Sequence, residues 1–244
     1  MLLRRITKHV KDQNWFAVGI DFVIVVIGVF IGIQVANWND ARTNKADLLN
    51  SLQRLDKEVV QNISLIDDVV EKYDDGAADR AFGRGALNNC DISAESQAAL
   101  EALLFDLVAD VQPNFNTAAL QQLIGETRFQ SFLSAKLQQE LVIYSSRLQE
   151  EYEQLNSHYE RMWEHHVIFH PAVDAYFPDS NERSGGNWGF RLIRPFSEVC
   201  KDASFRTRFI NTIGFYQSIG RRISGLKSEL EVFRESLNTE IEMY

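Results

Sequence analysis

One apolar stretch, Trp15 to Trp38, constrains most strongly what this chain can fold into (WFAVGIDFVIVVIGVFIGIQVANW). Within it, Phe22 to Ile33 is apolar without a break. The hydrocarbon core of a bilayer is about 30 Å thick and needs roughly 20 residues of helix to cross it. Tryptophans at both ends suit the membrane–water interfaces, where their amphipathic rings are favoured. The sequence therefore predicts one transmembrane helix over residues 15–38, with Trp15 and Trp38 as interfacial anchors.

Two other interpretations of the same stretch stay open. A buried helix of a soluble protein normally keeps one polar face, and this run has none around its circumference. A cleaved signal peptide also places a basic region before an apolar one. Its best cleavage residue, Ala36, would put Gln34 where a small side chain is required. An uncleaved signal anchor fits the residues better.

The charges that flank the stretch predict its orientation. The N-terminal flank carries four basic residues against the single acidic Asp12, namely Arg4, Arg5, Lys8 and Lys11. Basic flanks stay in the cytoplasm. We therefore expect a basic cytoplasmic tail over 1–14 and a periplasmic domain over 39–244, in a bacterial inner membrane.

Small residues recur at every fourth position on one face of the predicted membrane helix: Gly28, Gly32 and Ala36. This spacing lets two helix backbones approach closely in lipid. It favours a homodimer through the transmembrane helix, although glycine is also common in membrane helices that do not pair.

The block DFVIVVIGVFIGIQVANWND ends in Gln34, Asn37, Trp38 and Asn39. It resembles the start of a family of uncharacterised bacterial single-pass inner-membrane proteins, whose hydrophobic segment ends Gln-x-x-Asn-Trp-Asn. Residues 115–148 are similar to the second block of that family. The resemblance implies an inner-membrane protein of unknown function, and it supplies no catalytic residues.

The charge of the chain is divided between its two parts. Residues 1–45 hold six Lys and Arg against three Asp and Glu, whereas the remainder holds 19 against 31. An acidic domain repels phosphate backbones, so we expect no nucleic-acid partner. The basic tail suits the anionic headgroups of the lipid bilayer.

After the membrane segment, apolar residues recur at intervals of three and four, which is typical of amphipathic helices. We expect long helices over about 39–73, 134–169 and 209–237, and the last follows a heptad pattern. Shorter helices are expected over 77–89, 93–111 and 117–124. No strand pattern is evident, so the prediction is an all-α fold, a transmembrane helix followed by a long-helix bundle.

An irregular stretch, 171–203, interrupts the helical pattern and holds several aromatic residues: Tyr176, Phe177, Trp188, Phe190 and Phe196. Long loops are often functional. These aromatics either bind a ligand or seal the end of the bundle.

The chain has two cysteines, Cys90 and Cys200, in polar surroundings. An even number of cysteines in an oxidising compartment favours a disulfide. The alternative is two unrelated thiols. No CxxC occurs, so neither a redox pair nor a zinc ribbon is indicated.

Histidines gather near one predicted helix end: His158, His165, His166 and His170. His166 and His170 have the spacing of metal ligands, and Glu164 or Asp174 could supply a third ligand. The pattern lacks the HExxH arrangement, and a helix C-terminus favours histidine electrostatically. We therefore expect no metal.

Catalytic signatures are absent from the sequence: it has no GxSxG, SxxK, P-loop or dinucleotide fingerprint. We interpret acidic pairs such as Glu150–Glu151 and Asp67–Asp68 as solvated charges on helix surfaces. We expect no enzyme and no cofactor. The favoured function is a structural or interaction module with an envelope protein as partner. The alternative is a ligand-binding or sensor module whose site is formed by the aromatic loop and the histidines. A membrane-tethered enzyme of unrecognised type is the third hypothesis.

Overall fold

The computed structural model describes residues 15–108, 113–176 and 189–244, with side chains omitted for 15–18 and 21. The predicted tail over 1–14, the Trp15 anchor side chain, and Phe177 and Trp188 of the aromatic loop lie outside this description. The chain divides into two compact units, Met1–Asn50 with Tyr244, and Ser51–Met243. We call the second unit the helical domain.

Helices account for most of the described chain, which is nearly all-α. In chain order the α-helices are α1 (Trp15–Asp75), α2 (Ala77–Asn89), α3 (Ala94–Asp106), α4 (Ala118–Gly125), α5 (Ala135–Glu164), α6 (Phe196–Val199) and α7 (Ala203–Ile241). Two 3₁₀ turns, η1 (Thr127–Phe129) and η2 (Val167–Phe169), and two strands, β1 (Val173–Tyr176) and β2 (Gly189–Leu192), complete the fold.

Helix α1 is one uninterrupted helix of 61 residues. It contains both the predicted transmembrane helix over 15–38 and the predicted helix over about 39–73, with no break between them. Between Ile33 and Asp75 the chain has neither glycine nor proline, so nothing in the backbone breaks the i to i−4 hydrogen bonds. The helix ends directly before Gly76.

The starts of three later helices follow capping chemistry that is visible in the sequence. Ser93 accepts a hydrogen bond from the Ser96 N–H at 3.2 Å, and Ser134 accepts one from the Leu137 N–H at 3.2 Å. Asp202 caps α7 in the same way. Each side chain satisfies an N–H that the first turn of a helix leaves unpaired.

The core of the helical domain lies where α5 and α7 pack together and where α1 joins them. Tyr144 of α5 stacks on Phe233 of α7 with ring centroids 4.3 Å apart. The Tyr73 ring of α1 lies so close to Gly220 of α7 that a Cβ there would come within 3.0 Å of it. The six heptad positions of α7 are all buried: Ile219, Ile223, Leu226, Leu230, Phe233 and Leu237.

The expectation of an all-α fold without strands is wrong in one place. Val173–Tyr176 and Gly189–Leu192 pair as an antiparallel hairpin, with Val173 opposite Leu192. Each strand has only four residues, and twelve residues separate the two strands. The short turn that normally reveals a hairpin is therefore absent from the sequence, and strands of four residues give only a brief alternation.

Two predicted helices end early. Helix α3 ends at Asp106 and not near residue 111, and α5 ends at Glu164 and not at Phe169. After α5 the chain turns at His166, whose ring accepts a hydrogen bond from the Ile168 N–H at 3.2 Å. This side-chain cap starts the 3₁₀ turn η2 and so competes with a continued α-helix.

The interpretation of Glu150–Glu151 as a solvated pair is wrong for Glu151. Its side chain is 1% exposed and lies 2.8 Å from the Arg147 Nη1 and 2.5 Å from the Arg222 Nε. A buried carboxylate requires charged partners, and two arginines supply them here. Glu150 stays on the surface.

Candidate functional site

The apolar part of α1 is not covered by any other part of the chain that the structure describes. Every described side chain from Gly19 to Asp40 is exposed, including Phe22 at 68% and Trp38 at 66%. The segment lies near the N-terminus and has a mean hydropathy of 1.9 over 18 residues. By length and composition, α1 is therefore long and apolar enough to cross a membrane.

The small residues predicted to pair two membrane helices lie on this bare segment. No atom of the described chain comes within 4 Å of a Cβ built at Gly28 or Gly32. Ala36 is exposed as well. The surface that they form is accessible along its length.

Cys90 and Cys200 are brought together in a disulfide, with their Cα atoms 5.3 Å apart. Cys90 ends α2 in the left-handed conformation, with φ 51°, and its N–H donates to the Ala86 carbonyl. Cys200 follows α6 and is buried. The bond joins segments that are 110 residues apart in sequence.

His166 and His170 both bind backbone groups. The Nδ1 atoms of His166 and His170 accept hydrogen bonds from the N–H groups of Ile168 and Ala172, at 3.2 and 3.1 Å. His166 then donates from Nε2 to the Leu107 carbonyl at 3.0 Å. Across the described ranges, no three His, Cys, Asp or Glu side chains group as a metal would require.

Burial disfavours the charged form of His166 and of His170 and so lowers the pKa of both. Burial lowers the pKa of His166 below its ordinary value of 6.5. Burial also lowers the pKa of His170, and Asp202, at 3.7 Å, opposes this shift only in part. A proton added to either Nδ1 would face a backbone N–H, so protonation would break the turn that each ring caps.

A cluster of polar groups, most of them buried, joins α1 to the segment that precedes α4. We call Glu58, Asn62, Asn116 and Tyr144 the α1–α4 polar cluster. Asn62 is fully buried. Its amide accepts from the Asn116 N–H at 2.9 Å and donates to the Asn116 carbonyl at 2.8 Å. The Tyr144 hydroxyl accepts a longer bond from Asn62 at 3.4 Å, and burial raises the pKa of Tyr144 to about 12.

Glu58 completes the cluster by capping α4 from outside the helix. Its carboxylate accepts from the N–H groups of Ala119 at 2.6 Å and Leu120 at 3.1 Å. The Glu58 side chain is only 3% exposed. An anion at a helix N-terminus pairs with unbonded N–H groups and with the helix dipole. Glu58 and Asn62 together fix the position of α4 on α1.

Beside this cluster, α4, the residues before it and α5 enclose a cleft of about 530 Å³. Two aromatic side chains, Phe115 and Tyr152, line it together with hydroxyl and amide groups. We call this space the α4–α5 cleft. The volume is within the range of small-molecule sites, which is about 300–1,000 Å³.

The fold separates the aromatic residues of the loop that was predicted as a ligand site. Tyr176 and Phe190 line a second cleft of about 480 Å³ with Glu101 and Asp106 of α3. Glu101 also accepts the Leu192 N–H at 2.9 Å, and so holds the hairpin against α3. Phe196 is buried. The histidines that the hypothesis placed with this loop do not line the second cleft.

Sequence reasoning missed the α1–α4 polar cluster, although a signal was present. Glu58 and Asn62 are four residues apart and fall on the same helical face as Leu55, Val59 and Ile66. Polar residues inside an apolar stripe require buried partners. The partners come from a segment more than 50 residues away, which periodicity does not identify.

No protein-family model, curated protein or solved structure matches this chain. The resemblance to a family of single-pass inner-membrane proteins stays a prediction.

Proposed function

We propose that this protein is a single-pass inner-membrane protein whose helical domain acts in the periplasm as a structural or interaction module. The observation that carries the proposal is the bare apolar segment of α1. An apolar surface of this extent, exposed all around a helix, marks a site for lipid or for a partner. Its length matches a bilayer, so a lipid bilayer is the partner that covers it.

The disulfide supports the proposed compartment. Structural disulfides persist in the periplasm, whereas cytoplasmic thiols are kept reduced. Cys90 and Cys200 are the only cysteines of the chain, and the fold pairs them across 110 residues. This agrees with a cytoplasmic N-terminus and a periplasmic domain.

The buried carboxylates of the helical domain have structural contacts, which agrees with an interaction module. Glu58 and Glu240 bind backbone N–H groups, and Glu151 binds two arginines. These carboxylates hold helices together. We infer that the helical domain is a scaffold that presents its surface to an envelope protein, and that α1 pairs with a second copy through Gly28 and Gly32.

A ligand-binding module is the second candidate function, and the α4–α5 cleft is the observation that favours it. The α1–α4 polar cluster connects one wall of this cleft to α1, the helix that carries the membrane segment. Occupation of the cleft would therefore act on α4 and on its contacts with α1.

Membrane insertion is tested by extracting bacterial membranes with alkaline carbonate. We expect the native chain to stay in the membrane pellet. The double variant Ile27→Asp and Ile31→Asp places two charges within the apolar segment. Each charge costs about 2.5–3.5 kcal/mol at a membrane centre, so the variant should appear in the soluble fraction.

Val232→Asp is the matched control, because Val232 is an exposed apolar residue on the helical domain, at 67%. It should remain in the pellet. A native chain that carbonate releases would contradict the proposal.

A further inference from the structure

We infer that the α4–α5 cleft is a binding site for a neutral, polyhydroxylated ligand, a short saccharide. The inference goes beyond the proposed anchoring and scaffold function, since it concerns a surface of the helical domain alone. It depends on the described side chains that line the cleft, on the lack of charged groups among these described residues, and on the hydrogen bonds that hold one wall.

The aromatic lining supplies flat apolar surface. Tyr152 of α5 is 52% exposed, and Phe115 is half-buried in the segment that precedes α4. An aromatic face beside polar groups offers a flat surface on which a ligand can stack. Aromatic faces carry partial negative charge. They attract the weakly positive C–H groups that line one face of a sugar ring.

The polar lining supplies groups that match hydroxyls. Gln121 and Asn114 each offer a carbonyl oxygen and an NH₂ group, and Thr117 and Ser145 offer hydroxyls. Gln149 offers its carbonyl oxygen, because its NH₂ group donates to the Glu153 carboxylate at 2.7 Å. Amides and hydroxyls both donate and accept hydrogen bonds, as sugar hydroxyls do. The Gln121 side chain of α4 donates a hydrogen bond across the cleft to the Ser145 hydroxyl of α5 at 3.4 Å. One small ligand can therefore form hydrogen bonds with both walls.

Charge selects the class of ligand. No Lys, Arg, Asp or Glu is among the described residues that line the cleft. Phosphates and carboxylates are normally bound by arginine, lysine or a metal, so this lining disfavours anions. The second cleft is different, because Glu101 and Asp106 line it. An uncharged polar lining with two aromatic rings therefore favours a neutral ligand.

One wall of the cleft is fixed before any ligand arrives. The backbone of Asn116 is bonded to Asn62 through both its N–H and its carbonyl, and Glu58 holds the first turn of α4. Asn116 lies between Phe115 and Thr117, which both line the cleft. A fixed wall reduces the entropy lost on binding, so these contacts position the site without touching the ligand.

The test uses the full chain in lipid nanodiscs, because glycoside detergents carry sugar headgroups that would compete. Isothermal titration calorimetry with maltotriose and chitotriose is compared with galacturonate and inorganic phosphate. We expect saturable binding of at least one neutral trisaccharide and none of the two anions. No saturable binding of either neutral probe, or equal binding of the anions, would overturn the inference.

Variants then locate the site. Tyr152→Ala removes the exposed aromatic face and should weaken binding about tenfold or more, and Gln149→Ala should weaken it in the same direction. Ile143→Ala is the matched control, since it removes an exposed side chain of α5 that does not line the cleft. Binding that both cleft variants leave unchanged, or that Ile143→Ala weakens as strongly, would show that the sugar binds elsewhere.

Discussion

Glu58 gives the most quantitative test of how the helical domain is held together. Its buried carboxylate accepts two backbone N–H bonds, from Ala119 at 2.6 Å and Leu120 at 3.1 Å. Glu58→Ala leaves both N–H groups without this acceptor. A fully buried unsatisfied group costs about 1–3 kcal/mol. Leu120 is buried, whereas Ala119 is half-buried and water replaces part of its lost bond, so we expect the free energy of unfolding to fall by roughly 2–4 kcal/mol.

A graded series separates the hydrogen bonds from the volume of the side chain. Glu58→Gln keeps the volume and one acceptor oxygen, but turns an NH₂ group toward the second N–H. The free energy of unfolding of Glu58→Gln should lie between that of the native chain and that of Glu58→Ala. Glu71→Ala is the matched control, because Glu71 is an exposed glutamate on the same helix, and surface changes usually stay within about 0.5 kcal/mol.

The assay is denaturant-induced unfolding of the full chain in nanodiscs, followed by circular dichroism. Stability changes appear as shifts of the midpoint at constant slope. If Glu58→Ala unfolds at the same midpoint as Glu71→Ala, the capping of α4 from α1 contributes nothing to stability, and the reasoning is refuted.

Three further predictions concern the disulfide, the buried histidine and the membrane segment. Reducing Cys90–Cys200, which closes 110 residues, should destabilise the domain by about 5 kcal/mol in the chain-entropy model; an unchanged denaturation midpoint in reductant would contradict this. Burial lowers the pKa of His166 below 6.5, so the unfolded chain protonates first. The free energy of unfolding should therefore be highest above about pH 6.5, and it should decrease as the pH falls from 6.5 toward the lower pKa of the folded state. His166→Asn should flatten this dependence, and an equal slope in both proteins would refute it. Gly28→Ile with Gly32→Ile should leave the unfolding midpoint unchanged, because nothing described lies within 4 Å, but should abolish cross-linked dimers in membranes; persisting dimers would place the pairing elsewhere.

Local signals predicted the helical elements well. Ser93 and Ser134 were expected to start helices and do cap α3 and α5. Apolar residues at intervals of three and four indicated the buried face of α7 correctly. These features depend on neighbours within one or two turns, and such information is contained in the sequence.

Contacts between distant segments were not predictable in the same way. Glu151 has the sequence surroundings of a surface residue, yet Arg222 of α7 makes it a buried ion pair. The hairpin of β1 and β2 forms although each strand is short, since Glu101 of α3 accepts the Leu192 N–H. One wall of the α4–α5 cleft is likewise positioned by Glu58 and Asn62 of α1, which bind α4 and the segment before it. Each depends on which helices become neighbours, which periodicity leaves undetermined.

The central claim is that a membrane helix places this domain in an oxidising compartment, and the two cysteines test it directly. Intact bacterial spheroplasts are treated with a membrane-impermeant, mass-adding maleimide, with and without prior treatment by an impermeant reductant. The account predicts no added mass without reductant and two additions, at Cys90 and Cys200, after reduction of the intact cells. Labelling of both thiols only after lysis, without any reductant, would show reduced cysteines in the cytoplasm and would contradict the account.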